Sequence, residues 1–480
     1  MAISVQVSIF PLKMHKHILT LVLVLILLMT TSPVLAQDVT PSPGPVYIVQ
    51  EGDTFYDIAN NFGISLQDLL DANPLLDPNS ISVGSRIVIP GLQGIGGVLT
   101  SQVVGFGENI TSLSRRNQVP ESFIEKLNHI TSPYELYAGY KLVLPQKENS
   151  TPLSGIVELT RGESLLEAAV HENSDPWTLV QINSLAGSWD GAPGEILLNP
   201  AGSARDRQGG LPPAFINVNV TPLPMKQGGT IVIKIQTQPG VILSGFLVDK
   251  PLHFFPTEAG SFVAMQGVYA LLTPGPYPLK LIATLPDGSK QSFEQLVLIQ
   301  SGYYPNDPML NVDPETIDPA ITVPESQQVE AVTAPANLQK LWQGMFALPV
   351  DQTYCLKSRF GNRRAYNGGG YDNFHAGLDF GICSPDHPFD IYAPADGVVV
   401  FTGKLIVRGN ATIIDHGWGI YTGYWHQEEI LVNVGDHVTA GQLIGKIGQT
   451  GRVTGPHLHW EIWVNGVQVN PTDWLNITYP

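Results

Sequence analysis

The sequence predicts a multidomain, mainly β protein: three strand–helix–helix–strand units, an immunoglobulin-like β-sandwich, and a C-terminal antiparallel β domain. Three observations carry this. Five residue columns recur at an interval of 55 in the first 200 residues. Short alternating apolar runs separated by turn residues fill Ile216 to Gln300. Finally, 48 glycines and 39 prolines, about 18% of 480 residues, accompany only 14% charged residues, a composition suited to short strands and many turns rather than long amphipathic helices.

Near the start of the chain, Lys13, His15, Lys16 and His17 precede an apolar run from Ile18 to Met29 interrupted only by Thr20. The run is too short to span a bilayer comfortably, and small residues at Val34 and Ala36 follow it, so residues 1–36 read as a secretory signal peptide. An uncleaved anchor is the alternative, and either Met1 or Met14 can be the start. No stable membrane span is expected after cleavage, and no cysteine follows the core to carry a lipid. With 25 Lys plus Arg against 42 Asp plus Glu, the net charge is −17, which argues against nucleic acid as a partner.

The columns are Gly52, Gly107 and Gly162; Asp53, Glu108 and Glu163; Asn73, Asn128 and Asn183; Gly84, Gly139 and Gly194; Pro90, Pro145 and Pro200. In the first unit, Tyr47-Ile48-Val49 reads as a strand and Thr54 as a helix N-cap. Ile58, Ala59 and Phe62, then Leu66, Leu69 and Leu70, stand at helical spacing, and Ile87-Val88-Ile89 closes the unit as a strand. The expected units are 45–91, 99–146 and 153–201. The residues YIVQEGDTFYDIANNFGISLQDLLDANP and ISVGSRIVIP resemble the LysM family. That resemblance implies binding to N-acetylglucosamine-containing glycans such as peptidoglycan or chitin. Copies two and three depart from it, with Glu108-Asn109 and Glu163-Ser164 in place of Asp53-Thr54, and stand between glycan binders and stacked spacers.

Residues 212–301 hold about seven runs, such as Thr230 to Ile235, Gly245 to Val248 and Leu279 to Ala283, with turn signals such as Pro286-Asp287-Gly288; seven short strands suggest an immunoglobulin-like sandwich. No titratable cluster falls there. Residues 302–338, rich in Pro and acid without periodicity, read as a linker.

Seven of the 12 histidines lie in residues 341–480. His375 and Asp379 are an even interval apart, as are His457 and His459, so each pair shares one face of an extended chain. His426 follows Tyr424-Trp425. Two imidazoles and a carboxylate suit a catalytic zinc, which takes three protein ligands. Around them stand SRFGNR from Ser358, HAGLDF from His375, Ala393-Pro394-Ala395-Asp396-Gly397, Asp415-His416-Gly417 and GRVTGPHLH from Gly451. In that order, across some 130 residues, they resemble the lysostaphin-type zinc metallopeptidases. The resemblance implies a mostly antiparallel β fold with a narrow groove, cleavage of peptide bonds in peptidoglycan stems or cross-bridges, and Zn2+ as cofactor. It makes His375, Asp379 and His459 the zinc ligands and His426 and His457 the two unliganded catalytic imidazoles. The chain then reads as a secreted wall endopeptidase targeted by its repeats; the alternative is a non-catalytic wall-binding regulator of other hydrolases.

The departures are Gln427, where the family usually has Leu, and a Gly-rich stretch from Tyr366 to Tyr371. Cys355 and Cys383, the only cysteines, bracket the first two ligands; in an exported chain they are expected to be bridged. His416 reads as structural, His387 and His437 as solvated, Arg363 as a groove residue and Glu461 as an orienter of a ligand.

Overall fold

The computed structural model describes residues 44–77, 81–92, 94–132, 135–146, 153, 155–159, 162–192, 195–200, 210–351, 354–382 and 389–480. The expected signal segment 1–36, Gly194, Cys383 and His387 lie outside the described residues. The chain is mainly β with few helices, and it divides into two compact units at Gly96/Gly97.

In the first unit, strand Val46–Ile48 pairs antiparallel with Arg86–Val88. Helices Phe55–Asn61 and Leu66–Asp71 lie between them in sequence, capped by the side chains of Thr54 and Ser65. Tyr47, Phe55, Ile58, Leu69 and Ile87 are buried, as the spacing requires. The repeated asparagine has a physical task. Asn73 Nδ2 donates to Leu69 O and to Val88 O at 2.8 Å each, and its Oδ1 accepts from Val88 N at 2.8 Å. One side chain thus satisfies the end of the second helix and the closing strand together.

The second unit of the chain repeats this order twice. Val98–Val103, Ile110–Asn117, Glu121–Asn128 and Lys141–Gln146 form one copy; Ile156–Glu158, Leu165–His171, Pro176–Ile182 and Ile196–Leu198 form the next. Asn128 bonds Ile124 O, Val143 O and Val143 N, and Asn183 bonds Leu179 O, Leu198 O and Leu198 N, reproducing the Asn73 pattern. The exchange of Asp53-Thr54 for Glu108-Asn109 keeps both local jobs. Asp53 Oδ2 accepts from Gln50 N and Glu108 Oε2 from Gly105 N, at 2.7 Å each, while Asn109 caps its helix as Thr54 does.

Residues 215–300 form two antiparallel-rich sheets. One orders Lys250–Pro251, Ile242–Leu247, Gly275–Thr284, Lys290–Gln300 and Met225–Lys226; the other orders Phe255–Glu258, Ser261–Gly267, Thr230–Thr237 and Phe215–Thr221. Their core of Phe215, Ile233, Leu279, Leu281 and Val297 also takes in Phe106 and Ala138 of the second repeat. On the other side, Val232, Phe255, Val263 and Met265 join the core of the C-terminal domain. Phe255 stacks on Trp418 with centroids 5.0 Å apart, and Trp474 Nε1 donates to Thr230 Oγ1 at 3.1 Å. The sandwich region is therefore packed onto the C-terminal domain rather than strung beside it.

The segment expected to be an unstructured linker holds a helix, Pro319–Thr333. Asp318 caps it and Pro319 opens it, both good start signals. The internal Pro324 and the weak periodicity hid it. Glu325, Val329 and Thr333 are buried against the C-terminal domain, so tertiary contacts stabilise a helix that local propensity leaves weak.

In that domain the main sheet runs Cys355–Ser358, Leu378–Gly381, His457–Val464, Ile420–Ile430, Gly409–Gly417, Gly397–Leu405 and His437–Val438, all antiparallel. Trp342, Tyr424, Trp460, Ile462 and Trp474 fill the face that meets the sandwich region. Cys355 is disulfide-bonded, at the edge of this sheet.

Candidate metal centre and active site

The antiparallel register between Leu378–Gly381 and His457–Val464 sets Asp379 opposite His459. Trp425 faces His459 from the other neighbour, which brings His426 close. Gly377, in HAGLDF, permits the approach: a Cβ there would lie 2.2 Å from Trp460 O and 3.0 Å from His459 Nε2. His426 has a left-handed backbone, φ 65°, beside a register shift between Asn410 and Thr412. A non-glycine residue in that region is uncommon, and the irregularity re-aims its side chain.

His375 Nε2, Asp379 Oδ1 and His459 Nδ1 converge, with separations of 2.9 Å, 2.8 Å and 2.9 Å. The outer contacts fix the tautomers. His375 Nδ1 faces Arg359 O at 2.8 Å, a carbonyl that only accepts, so Nδ1 carries the proton and Nε2 is a bare lone pair. His459 Nε2 donates to Glu461 Oε1 at 2.9 Å, which leaves its Nδ1 bare. Gln468 Nε2 in turn donates to Glu461 Oε2 at 3.1 Å. Three acceptors therefore point at one locus, an arrangement that only a cation or a shared proton relieves. Zinc bonds of about 2.0–2.1 Å set tetrahedral ligand atoms roughly 3.3 Å apart, so the donor set suits that ion with an outward shift of about half an ångström. Glu461 and the Arg359 carbonyl stand where ligand-orienting groups belong.

Electrostatics point the same way. Burial opposes the charged form of Asp379, yet His375 and His459 outweigh it and hold its carboxyl well below the usual range. Glu461 is also lowered, its burial outweighed by His459. Burial likewise disfavours a charged His459, but Asp379 and Glu461 push it up to about 9. His375 moves down, because burial outweighs the single carboxylate that it meets. Two buried carboxylates flank one imidazole and demand positive charge between them.

His426 and His457 lie beside this centre, their rings 4.9 Å apart. Their Nδ1 atoms donate to Thr450 O and Gly455 O, at 2.8 Å each, so both present Nε2 elsewhere. His457 Nε2 is 3.6 Å from Asp379 Oδ1. Burial, then His457 and His459, lower His426 well below an ordinary imidazole. All five sequence-identified residues line one groove of about 1060 Å3.

Other expectations fare unevenly. His416 is buried, with Nδ1 2.7 Å from Asp396 O and Nε2 2.8 Å from Thr422 Oγ1, a structural residue. His437 is exposed. Gln427 is buried; its side-chain amide donates to Thr412 Oγ1 and Tyr424 O, and its backbone carbonyl accepts from Thr450 Oγ1, so the residue that holds His426 is tied to it. The groove residue is Arg364 rather than Arg363, since neighbours on an extended chain face opposite ways. Arg364 Nε lies 3.2 Å from Asp307 Oδ2, and its Nη2 lies 3.5 Å from Asp379 Oδ2. Sequence reasoning missed Asp307, Arg408 and Arg452, which also border the groove. Only GRVTGPHLH, which contains Arg452, held any signal for them.

Comparison with known proteins agrees with this picture. Residues 373–471 match peptidase family M23, and residues 47–90 and 103–145 match the LysM domain. The peptidoglycan DD-endopeptidase ShyA of Vibrio cholerae serotype O1 is 41% identical over 136 residues, 28% of this chain and 30% of that protein. The DD-carboxypeptidase/endopeptidase Mpg of Neisseria meningitidis serogroup B is 41% identical over 97 residues, 20% of this chain and 22% of that protein. Among solved structures, the catalytic domain of the antimicrobial peptidase lysostaphin from Staphylococcus simulans matches at 30% identity. That match covers 26% of this chain and 93% of that one, with a TM-score of 0.23. The chain spans less than a third of the length of these curated relatives. It carries a peptidase family M23 domain, preceded in sequence by two LysM domains.

Proposed function

We propose that the protein is a secreted, zinc-dependent endopeptidase that cuts peptide bonds in peptidoglycan stems or cross-bridges and is brought to the wall by LysM repeats. The observation that carries this is the convergence of three lone pairs beside two further imidazoles in one groove. ShyA is named a peptidoglycan DD-endopeptidase and Mpg a DD-carboxypeptidase/endopeptidase, which suggests the substrate class. In this reading the third repeat is also LysM-like, residues 212–301 are an immunoglobulin-like module, and the repeats take N-acetylglucosamine glycan.

His375, Asp379 and His459 hold the zinc, with Glu461 and the Arg359 carbonyl orienting the imidazoles. When bound, zinc supplies a Lewis acid that polarises a carbonyl and acidifies water. His457, with Nδ1–H fixed on Gly455 O, offers Nε2 to take the proton of the attacking water and return it to the leaving amine. His426 is fixed in the same tautomer, so it donates to the developing oxyanion only while its Nε2 also carries a proton.

Digestion of defined peptidoglycans by the purified protein, with products identified by mass and zinc content measured in parallel, tests the proposal. Expected are about one zinc per chain, new amino termini in the peptides and intact glycan strands. A metal-free protein that sediments with the wall and releases nothing would instead identify the non-catalytic regulator.

A further inference from the structure

The groove brings both signs of charge together, five carboxylates and four cations among its lining residues. In a protein of net charge −17, Arg364, Arg408 and Arg452 all line it. Two of them are neutralised from the segment that joins the sandwich region to the C-terminal domain. Arg364 meets Asp307, and Arg408 Nη1 lies 2.9 Å from Glu325 Oε1, whose carboxylate also accepts from Val407 N and Arg408 N. Arg452 is different. Its backbone N–H donates to Val407 O at 2.8 Å, and its guanidinium lies over the Tyr366 ring, 4.7 Å from the centroid. Nη1 donates to the carbonyl of Thr316 at 2.9 Å. Among the described residues, no carboxylate lies within ion-pair distance of it.

A fixed guanidinium without a counter-ion, half-buried and bordering the same groove as the metal centre, is an anion-recognition group: its planar fork matches a carboxylate. Tyr366 below and the Val407 carbonyl behind hold it in place, so little side-chain entropy remains to be lost on binding. Resting on the peptidase reading above, we infer that Arg452 recognises a free carboxylate on the substrate peptide close to the scissile bond, and so sets specificity. The Thr316 carbonyl takes one amino group of the fork; the rest remains for the ligand.

The test uses the full chain and two cross-linked peptidoglycan dimers that differ only in the free carboxyl of the diamino acid, one as carboxylate and one as carboxamide. Wild type should favour the carboxylate by roughly 10- to 100-fold in kcat/KM, the scale of a charge-assisted hydrogen bond. Arg452→Gln should bring that ratio near one. Arg452→Lys should give an intermediate ratio, because it keeps the charge and loses the fork, and it serves if the Gln variant folds poorly. Zinc content and unfolding temperature of each variant separate lost recognition from lost structure. A wild type indifferent to the carboxyl, or an Arg452→Gln enzyme that keeps the preference, overturns the inference while leaving the peptidase reading intact. A wild type that cuts neither dimer overturns both.

Discussion

Two regions of one sheet bury imidazoles, and they differ in what meets the inner nitrogen. At His416, Nδ1 donates to Asp396 O and Nε2 faces the hydroxyl of Thr422, which Tyr424 Oη approaches at 2.8 Å. Every polar atom there has a complementary partner, and burial pushes the imidazole down to about 4. At His375 the outer nitrogen is anchored on a carbonyl in the same way, but the inner one meets two further acceptors, Asp379 Oδ1 and His459 Nδ1. The first arrangement is complete and the second is relieved only by a cation or a shared proton. The difference between a structural and a functional histidine lies in that inner contact, and sequence spacing does not report it.

The largest effects should come from breaking the incomplete region. Replacing His375, Asp379 or His459 with Ala should lose both zinc and turnover. Replacing His457 or His426 should leave zinc bound and cut the rate about 100-fold or more, the usual scale for a proton-transfer or oxyanion group. Zinc stoichiometry and turnover measured together on the five variants distinguish the two classes. Near-normal turnover in His457→Ala would refute its role as the base.

The complete region should show itself in pH dependence instead. His416 has a folded pKa of about 4 against an ordinary 6.5, so the unfolded chain binds the proton first as pH falls. Its contribution is therefore fully present above about pH 6.5 and is lost between there and pH 4, by up to about 3 kcal/mol. Asp415, which burial pushes up, works in the opposite sense, so the informative quantity is the difference between wild type and a variant. Urea unfolding at pH 7, 5.5 and 4.5 should show a steeper loss for wild type than for His416→Gln. Parallel profiles would mean that His416 titrates alike in the folded and unfolded states.

What was legible in the sequence follows the same division. The 55-residue columns exposed the repeats because the asparagine and the capping residues act within one unit, on neighbours fixed by chain order. The five centre residues were legible through local spacing and flanking motifs, which the antiparallel register brings together. The helix Pro319–Thr333 was not, since its stability comes from burying Glu325 and Val329 on a surface some 80 residues further along the chain. Arg452 could not be singled out for a similar reason. What distinguishes it from Arg408 is that no carboxylate among the described residues lies within ion-pair distance of it, whereas Arg408 finds its partner, Glu325, in the segment that read as a linker.

The smallest expected effect sharpens the contrast from the side of the repeats. Asn128 is buried and fully used: Nδ2 donates to Ile124 O and Val143 O, and Oδ1 accepts from Val143 N at 2.7 Å. Asn128→Ala would strand those three backbone groups, at a cost of roughly 2 kcal/mol, since water can re-enter part of the space and satisfy some of them. The second repeat shares its core with the sandwich region through Phe106 and Ala138, so the loss should lower the unfolding midpoint of that body as well. Turnover on a small soluble peptide should not change, because none of these atoms reaches the groove. Denaturant unfolding and a soluble-peptide assay on Asn128→Ala read the two quantities separately. A drop in turnover at unchanged stability would show that a polar group with every partner in place nevertheless acts at the site, and the distinction between complete and incomplete burial would fail.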